Sequence, residues 1–139
     1  MTKILIAEDN PVNRELLREL LEIRGYEIFE ACDGLQALAM VEQVCPHLLV
    51  LDLSMPGLDG FGVIRRIRAD PAHANLPVLA ATAYAMRGDR ERVLEAGFDG
   101  YISKPISPTA LKEEIDRLIG SGPGKVSSAS AGSTSSSSE

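Results

Sequence analysis

The chain is expected to fold as a doubly wound α/β protein with five parallel strands in the order 2-1-3-4-5, on three observations. Ile4–Ala7, Leu48–Leu51 and Val78–Ala81 are continuous apolar runs, and strands that are apolar on both faces belong in the middle of a parallel sheet covered by helices. Tyr26–Glu30 (YEIFE) and Asp99–Ser103 (DGYIS) mix polar with apolar residues, which suits the less covered edges. Helical patterns separate these stretches in strict alternation. Short right-handed crossovers, with the second and fifth strands at the edges, then leave the order 2-1-3-4-5. That order reverses direction between strands one and three. Ligands in such sheets bind at the carboxyl ends of the strands flanking this point.

Each helix has its own signals. In PVNRELLRELLEIRG, after the first strand, Val12, Leu16 and Leu20 share a stripe with Leu17 and Leu21 beside it. Asn10 is a suitable cap, Pro11 suits the first helical position, and Gly25 suits the stop. DGLQALAMVEQVC carries Leu38, Val41 and Cys45 at helical spacing and ends before Pro46. GLDGFGVIRRIRAD carries Val63, Ile64 and Ile67 and ends before Pro71. MRGDRERVLEAG is weakly apolar, with Val93 and Leu94, and stops at Gly97. PTALKEEIDRLIG places Leu111, Ile115, Leu118 and Ile119 on one face. From Ser121 the composition shifts to SGPGKVSSASAGSTSSSSE, with no apolar period left. Residues 1–120 are therefore expected to form one domain and 121–139 a flexible Ser/Gly-rich tail, with no further output module behind the fifth helix.

Bulk properties exclude several function classes. The 139 residues are 45% hydrophobic and 24% charged, ordinary for one soluble domain. A net charge of −6 argues against nucleic acid as a partner, and the basic cluster Arg65–Arg68 reads as a solvated helix face. The apolar runs fall far short of the ~20 residues a membrane span requires. Lys3 followed by ILIA has neither the length nor the cleavage site of a signal peptide. With two cysteines and no export signal, a cytoplasmic setting is expected. Cys32 and Cys45 read as small core residues. Zinc is poorly supported, because Cys45 and His47 lack a second ligand pair at suitable spacing.

The polar residues at the strand ends form a pattern. Glu8 and Asp9 end the first strand and Asp52 ends the third, so the topology brings three carboxylates to one crevice. Each alone would read as a solvated loop acid. Together they repel, and a hard divalent cation such as Mg²⁺ is the natural remedy. Thr82 ends the fourth strand and Lys104 follows the fifth, so the same end of an apolar sheet gains a hydroxyl and an ammonium. A core does not need that set, whereas a phosphoryl group does. A carboxylate is ionised at neutral pH and attacks phosphorus without a general base. Asp52, central and followed by the loop SMPG, is the best nucleophile, with Glu8 and Asp9 as metal ligands.

These motifs, EDN at Glu8–Asn10, LDLSMPGLDG around Asp52, ATA around Thr82 and SKP around Lys104, resemble the receiver domain of two-component response regulators over residues 1 to 120. The stretch from Thr82 to Ser107 resembles single-domain receivers and those of hybrid histidine kinases. The resemblance implies a flavodoxin-like fold, and Asp52 as acceptor of a phosphoryl group from a partner histidine kinase or histidine phosphotransferase. It implies Mg²⁺ bound by Asp9, Asp52 and the backbone carbonyl of Ser54, with Glu8 holding a metal-bound water. Lys104 would pair with phosphoryl oxygens, and the Lys104–Pro105 bond is often cis in the family. Thr82 would move toward the phosphoryl group and draw Tyr101 inward, remodelling the face of the fourth helix, fifth strand and fifth helix for a downstream protein target. Ser54 and Tyr84 would set how easily water reaches the acyl phosphate. His47 and His73 are not family phosphodonors. The expected state is a monomer or a phosphorylation-dependent dimer, self-dephosphorylating and without multiple turnover.

Two other classes compete. A Mg²⁺-dependent phosphohydrolase with an aspartyl intermediate would usually carry its nucleophile on the first strand in a DxDxT-like motif, where this chain reads EDNPV. A flavodoxin-like electron carrier would bring flavin phosphate against Glu8 and Asp9, and aromatic residues total only 4%.

Overall fold

The computed structural model describes residues 2–55, 57–83 and 89–120. Ten elements alternate along them: β1 (Lys3–Ala7), α1 (Pro11–Glu22), β2 (Glu27–Ala31), α2 (Gly34–Val44), β3 (Leu48–Asp52), α3 (Gly60–Ala69), β4 (Val78–Thr82), α4 (Asp89–Glu95), β5 (Gly100–Ser103) and α5 (Pro108–Ile119). The strands pair in parallel in the order β2-β1-β3-β4-β5, as the alternation predicts. Every residue of β3 and β4 is buried, whereas β2 and β5 at the edges are mixed. Strand β2 sits one residue later than its polar pattern suggests, and β5 starts one residue later and ends where expected.

The sheet separates two apolar layers, as a period of two along each strand requires. Leu5, Leu49, Leu51 and Val78 face the side covered by Val41 of α2, Val63, Ile64 and Ile67 of α3 and Val93 of α4. Ile4, Ile6, Leu48, Val50 and Leu79 face the side covered by Leu17 and Leu21 of α1 and Leu111 and Ile115 of α5. Among the described residues no helix is long and apolar enough to cross a membrane.

Helix termini follow their caps. Asn10 Oδ1 accepts from the Val12 and Asn13 amides at 2.9 and 3.1 Å, with Pro11 at the first helical position. Gly25 adopts φ 91° at the turn after α1. Asp33, Asp59 and Ser107 cap α2, α3 and α5 in the same manner.

Three expectations change. On α1 the row that faces the sheet is Leu17–Leu21. Val12 is 73% exposed and Leu16 39%, because neighbouring helical positions differ by about 100° and only one of two adjacent rows can point inward. Cys45 is not a core residue: it is the α2 C-cap at φ 53° and is exposed. Cys32, in the loop after edge strand β2, is exposed as well. The expected tail 121–139, Tyr84 and the first residues of the fourth helical pattern, 86–88, lie outside the described residues.

Candidate functional site

The switch point between β1 and β3 is built by strands that run out of apolar residues in step. Ala7 pairs with Leu51, Asp52 with Ala81 and Thr82 with Ser103. This register places Glu8, Asp52, Thr82 and Lys104 along one end of the sheet. Glu8, Asp52 and Thr82 are the buried polar residues there, at 1%, 3% and 3% exposure. Asp9 is exposed at the rim.

Glu8 and Asp52 are tied by one cation. Lys104 Nζ lies 2.7 Å from Glu8 Oε1 and 3.3 Å from Asp52 Oδ2. The remaining oxygens accept from backbone: the Asn10 amide donates to Glu8 Oε2 and the Ser54 amide to Asp52 Oδ1, each at 3.1 Å. Lys104 is itself anchored, its amide donating to the Thr82 carbonyl at 2.8 Å. The Lys104–Pro105 peptide is cis.

Burial raises the Glu8 carboxyl above its ordinary value, and the neighbouring Asp52 charge adds to this, outweighing the opposing Lys104 contact and Asn10 amide. Burial alone would lower Lys104. Its contacts with Glu8 and Asp52 more than offset that, so its ammonium is held above the ordinary lysine value.

The site is acid-rich. One carboxylate oxygen from each of Glu8, Asp9 and Asp52 lies within 4.8 Å of the others. When all are ionised, three negative charges face the Lys104 ammonium. Glu8 Oε1 is buried, and its partner there is the Lys104 ammonium. All-oxygen donors and a surplus of negative charge fit a hard divalent cation.

The structure thus brings together Glu8, Asp9, Asp52, Thr82 and Lys104, and sets the exposed Ser54 beside them through its amide. Tyr101 lies one strand away on β5, half-buried and packed against the apolar layer that includes Phe98 and Val93. Tyr84 is outside the described residues. One supporting residue had no motif to announce it. Arg14 Nη1 donates to the Glu8 carbonyl at 2.8 Å, and its Nε donates to Glu30 Oε1 at 3.0 Å, so the turn that carries Glu8 is held from α1 and β2.

A five-stranded doubly wound sheet with a buried carboxylate pocket and a lysine at its switch point defines a phosphoacceptor module of two-component signalling. The chain belongs to the response regulator receiver domain family, whose model matches residues 4–116. It is 40% identical over 121 residues to the polar-differentiation response regulator DivK of Brucella ovis, covering 86% of this chain and 98% of that relative. Among solved structures, it is similar to the receiver domain of sensor histidine kinase PA1611 from Pseudomonas aeruginosa, with a TM-score of 0.79 and 37% identity over 86% of this chain and 98% of that one. That structure has a magnesium ion coordinated in its active site cleft. The Vibrio cholerae chemotaxis protein CheY4 gives a TM-score of 0.80 at 26% identity, covering 86% of this chain and 99% of the other. The flavodoxin-like, receiver-type architecture and the two-component role read from the motifs are borne out. Receiver domains are signalling proteins, and they work with histidine kinases or phosphotransfer proteins.

Proposed function

We propose that Asp52 accepts the phosphoryl group and that the pocket around it is arranged for that transfer. The observation that carries this is the position of Asp52, buried at the end of central strand β3 between the Lys104 ammonium and the Ser54 amide. An Asp52 carboxylate oxygen attacks the phosphorus of a partner's phosphohistidine, the phosphorus–nitrogen bond breaks, and its electron pair stays on the imidazole. Lys104, already shared between two carboxylates, turns toward the incoming phosphoryl oxygens, and the Thr82 hydroxyl donates to another of them. Asp9 and Asp52 with the Ser54 carbonyl would hold Mg²⁺, with Glu8 reaching it through water. When bound, the cation offsets charge on the phosphoryl oxygens.

The readout we propose runs through β4 and β5. Thr82 pairs with Ser103 and Ala80 with Tyr101, so movement at Thr82 is one strand from Tyr101 and from the α4-β5-α5 face, where a downstream protein would bind. Ser54 and Tyr84 set water access to the acyl phosphate and hence its lifetime. The protein turns over no further substrate beyond losing its own phosphate. The exposed free thiols Cys32 and Cys45 suit a reducing, cytoplasmic setting.

The test is incubation with Mg²⁺ and acetyl phosphate, or beryllofluoride, comparing the wild type with Asp52→Ala and Asp52→Asn. The expected result is one labile phosphate per chain, absent from both variants. Phosphate retained in Asp52→Asn, or sustained turnover of unrelated phosphate esters, would overturn the reading.

A further inference from the structure

We propose that Glu42, Asp70 and His73 form a second metal site, for a divalent transition metal of the Zn²⁺ class, at the end of the sheet opposite the acid pocket. No sequence spacing announced it, because its members come from separate elements. Glu42 lies in the last turn of α2, Asp70 is the C-cap of α3, and His73 sits in the turn that follows. Both helices run back toward the amino ends of β3 and β4, away from Asp52.

One oxygen from each acid and one ring nitrogen of His73 lie within 4.8 Å of one another. The closest pair is already in place, with His73 Nε2 3.0 Å from Glu42 Oε1. The turn fixes the other two members. The Ala72 amide donates to Asp70 Oδ1 at 3.0 Å and the His73 amide to the Asp70 carbonyl at 2.9 Å, so Asp70 and His73 are offered by one closed loop. The His73 side chain is 15% exposed and that of Glu42 65%. A largely covered imidazole and an open carboxylate leave room for water to complete a coordination shell.

The ligand chemistry separates this cluster from the acid pocket. Zn²⁺ binds imidazole nitrogen at about 2.0–2.1 Å and carboxylate oxygen at about 2.0–2.2 Å. Two such ligands on one ion therefore sit roughly 3–3.5 Å apart, close to the present His73–Glu42 spacing. Imidazole suits zinc-like ions, whereas all-oxygen sets suit Mg²⁺. Among the described residues the pocket at Asp52 offers carboxylate oxygens, whereas the cluster at His73 adds an imidazole nitrogen. A metal here would cross-link α2 to the turn between α3 and β4 and stabilise the folded chain by binding it alone.

The test is a ZnCl₂ titration of the Mg²⁺-loaded protein, followed by backbone amide ¹H–¹⁵N spectra. Amides around residues 42 and 70–73 should shift at lower Zn²⁺ than those around 9 and 52. His73→Ala and Glu42→Gln should each weaken this binding by about tenfold or more, and Asp9→Asn should leave it unchanged. His73→Gln, a second variant that keeps a polar side chain, should abolish the rise in Tm that Zn²⁺ produces in the wild type. Phosphorylation of Asp52 in the His73 and Glu42 variants reports that the fold is intact. Zn²⁺ shifts confined to the acid pocket, or equal affinity in wild type and His73→Ala, would overturn the proposal and leave a simple His–Glu pair.

Discussion

Lys104 reaches across the carboxyl end of the sheet to lie 2.7 Å from the buried Glu8 carboxylate, and the same ammonium touches Asp52 at 3.3 Å. The pocket is therefore closed by one cation serving two acids. Removing that cation leaves two buried charges uncompensated. Lys104→Met should cost about 3 kcal/mol in metal-free urea unfolding at neutral pH, and the double variant Lys104→Met/Glu8→Gln should recover much of it. An unchanged unfolding midpoint in Lys104→Met would show that the pair contributes nothing.

Glu8 supplies a sign that can be checked. Its carboxyl is raised, chiefly by burial, above the ordinary 4.5. Its contribution to stability is thus fully present below that value and is lost as pH rises through the raised one. Ionised Glu8 weakens the metal-free fold, and Mg²⁺ held by the assembled pocket alone would reverse this. At a Mg²⁺ concentration about 100-fold above Kd the wild type should gain about 2.7 kcal/mol, read as a shift of the urea midpoint. Asp9→Asn should be more stable than wild type without metal and should gain little from Mg²⁺. A full Mg²⁺ response in Asp9→Asn would remove Asp9 from the ligand set.

How much of this was legible beforehand depends on how local each signal is. β1, β3 and β4 were readable because burial on both faces leaves uninterrupted apolar runs. Their order alone brings Glu8, Asp52, Thr82 and Lys104 to one end of the sheet. The inward row of α1 was harder, since Val12–Leu16–Leu20 and Leu17–Leu21 are equally apolar and only docking chooses between them. Cys45 was misplaced because it continues the spacing of Leu38 and Val41, yet the helix ends there in a left-handed cap. Lys104 facing carboxylates, Arg14 reaching Glu30, and Glu42 meeting His73 all join distant segments. No pattern within a single segment encodes them.

Arg68 shows what such distant joins contribute to the fold. Its Nε donates to the Gly97 carbonyl at 2.9 Å, Nη1 to the carbonyls of Ala74 and Leu76 at 3.1 and 2.7 Å, and Nη2 to Asp99 Oδ2 at 2.7 Å. Asp99 Oδ2 in turn accepts from the Val78 amide at 2.9 Å. One planar guanidinium thus ties α3 to the turns that launch β4 and β5. Lysine cannot reproduce that fork. Arg68→Ala should cost about 2–3 kcal/mol and Arg68→Lys nearly as much, measured by chemical denaturation. Full stability in Arg68→Lys would reduce the interaction to a point charge.

Glu114 on α5 ties that helix to edge strand β5. Its Oε1 lies 2.8 Å from Arg117 Nη2 and accepts from the Tyr101 amide at 3.4 Å, while Arg117 Nη2 also donates to the Asp99 carbonyl at 2.9 Å. The Arg117 contact outweighs burial and holds the Glu114 carboxyl below its ordinary value of 4.5. For a lowered carboxylate the sign is opposite to that of Glu8. Its stabilisation is present above pH 4.5 and disappears as pH falls through the lowered value. Below pH 4.5 the wild type should therefore lose a contribution that Glu114→Gln never had. The stability curves of the two proteins should converge as acid is added, with the wild type ahead at neutral pH. Hydrogen exchange at the Tyr101 amide should be faster in Glu114→Gln at pH 7, because the charged acceptor at the edge of β5 is gone. Parallel stability curves across that acid range, with unchanged exchange at Tyr101, would remove Glu114 from the anchoring of β5.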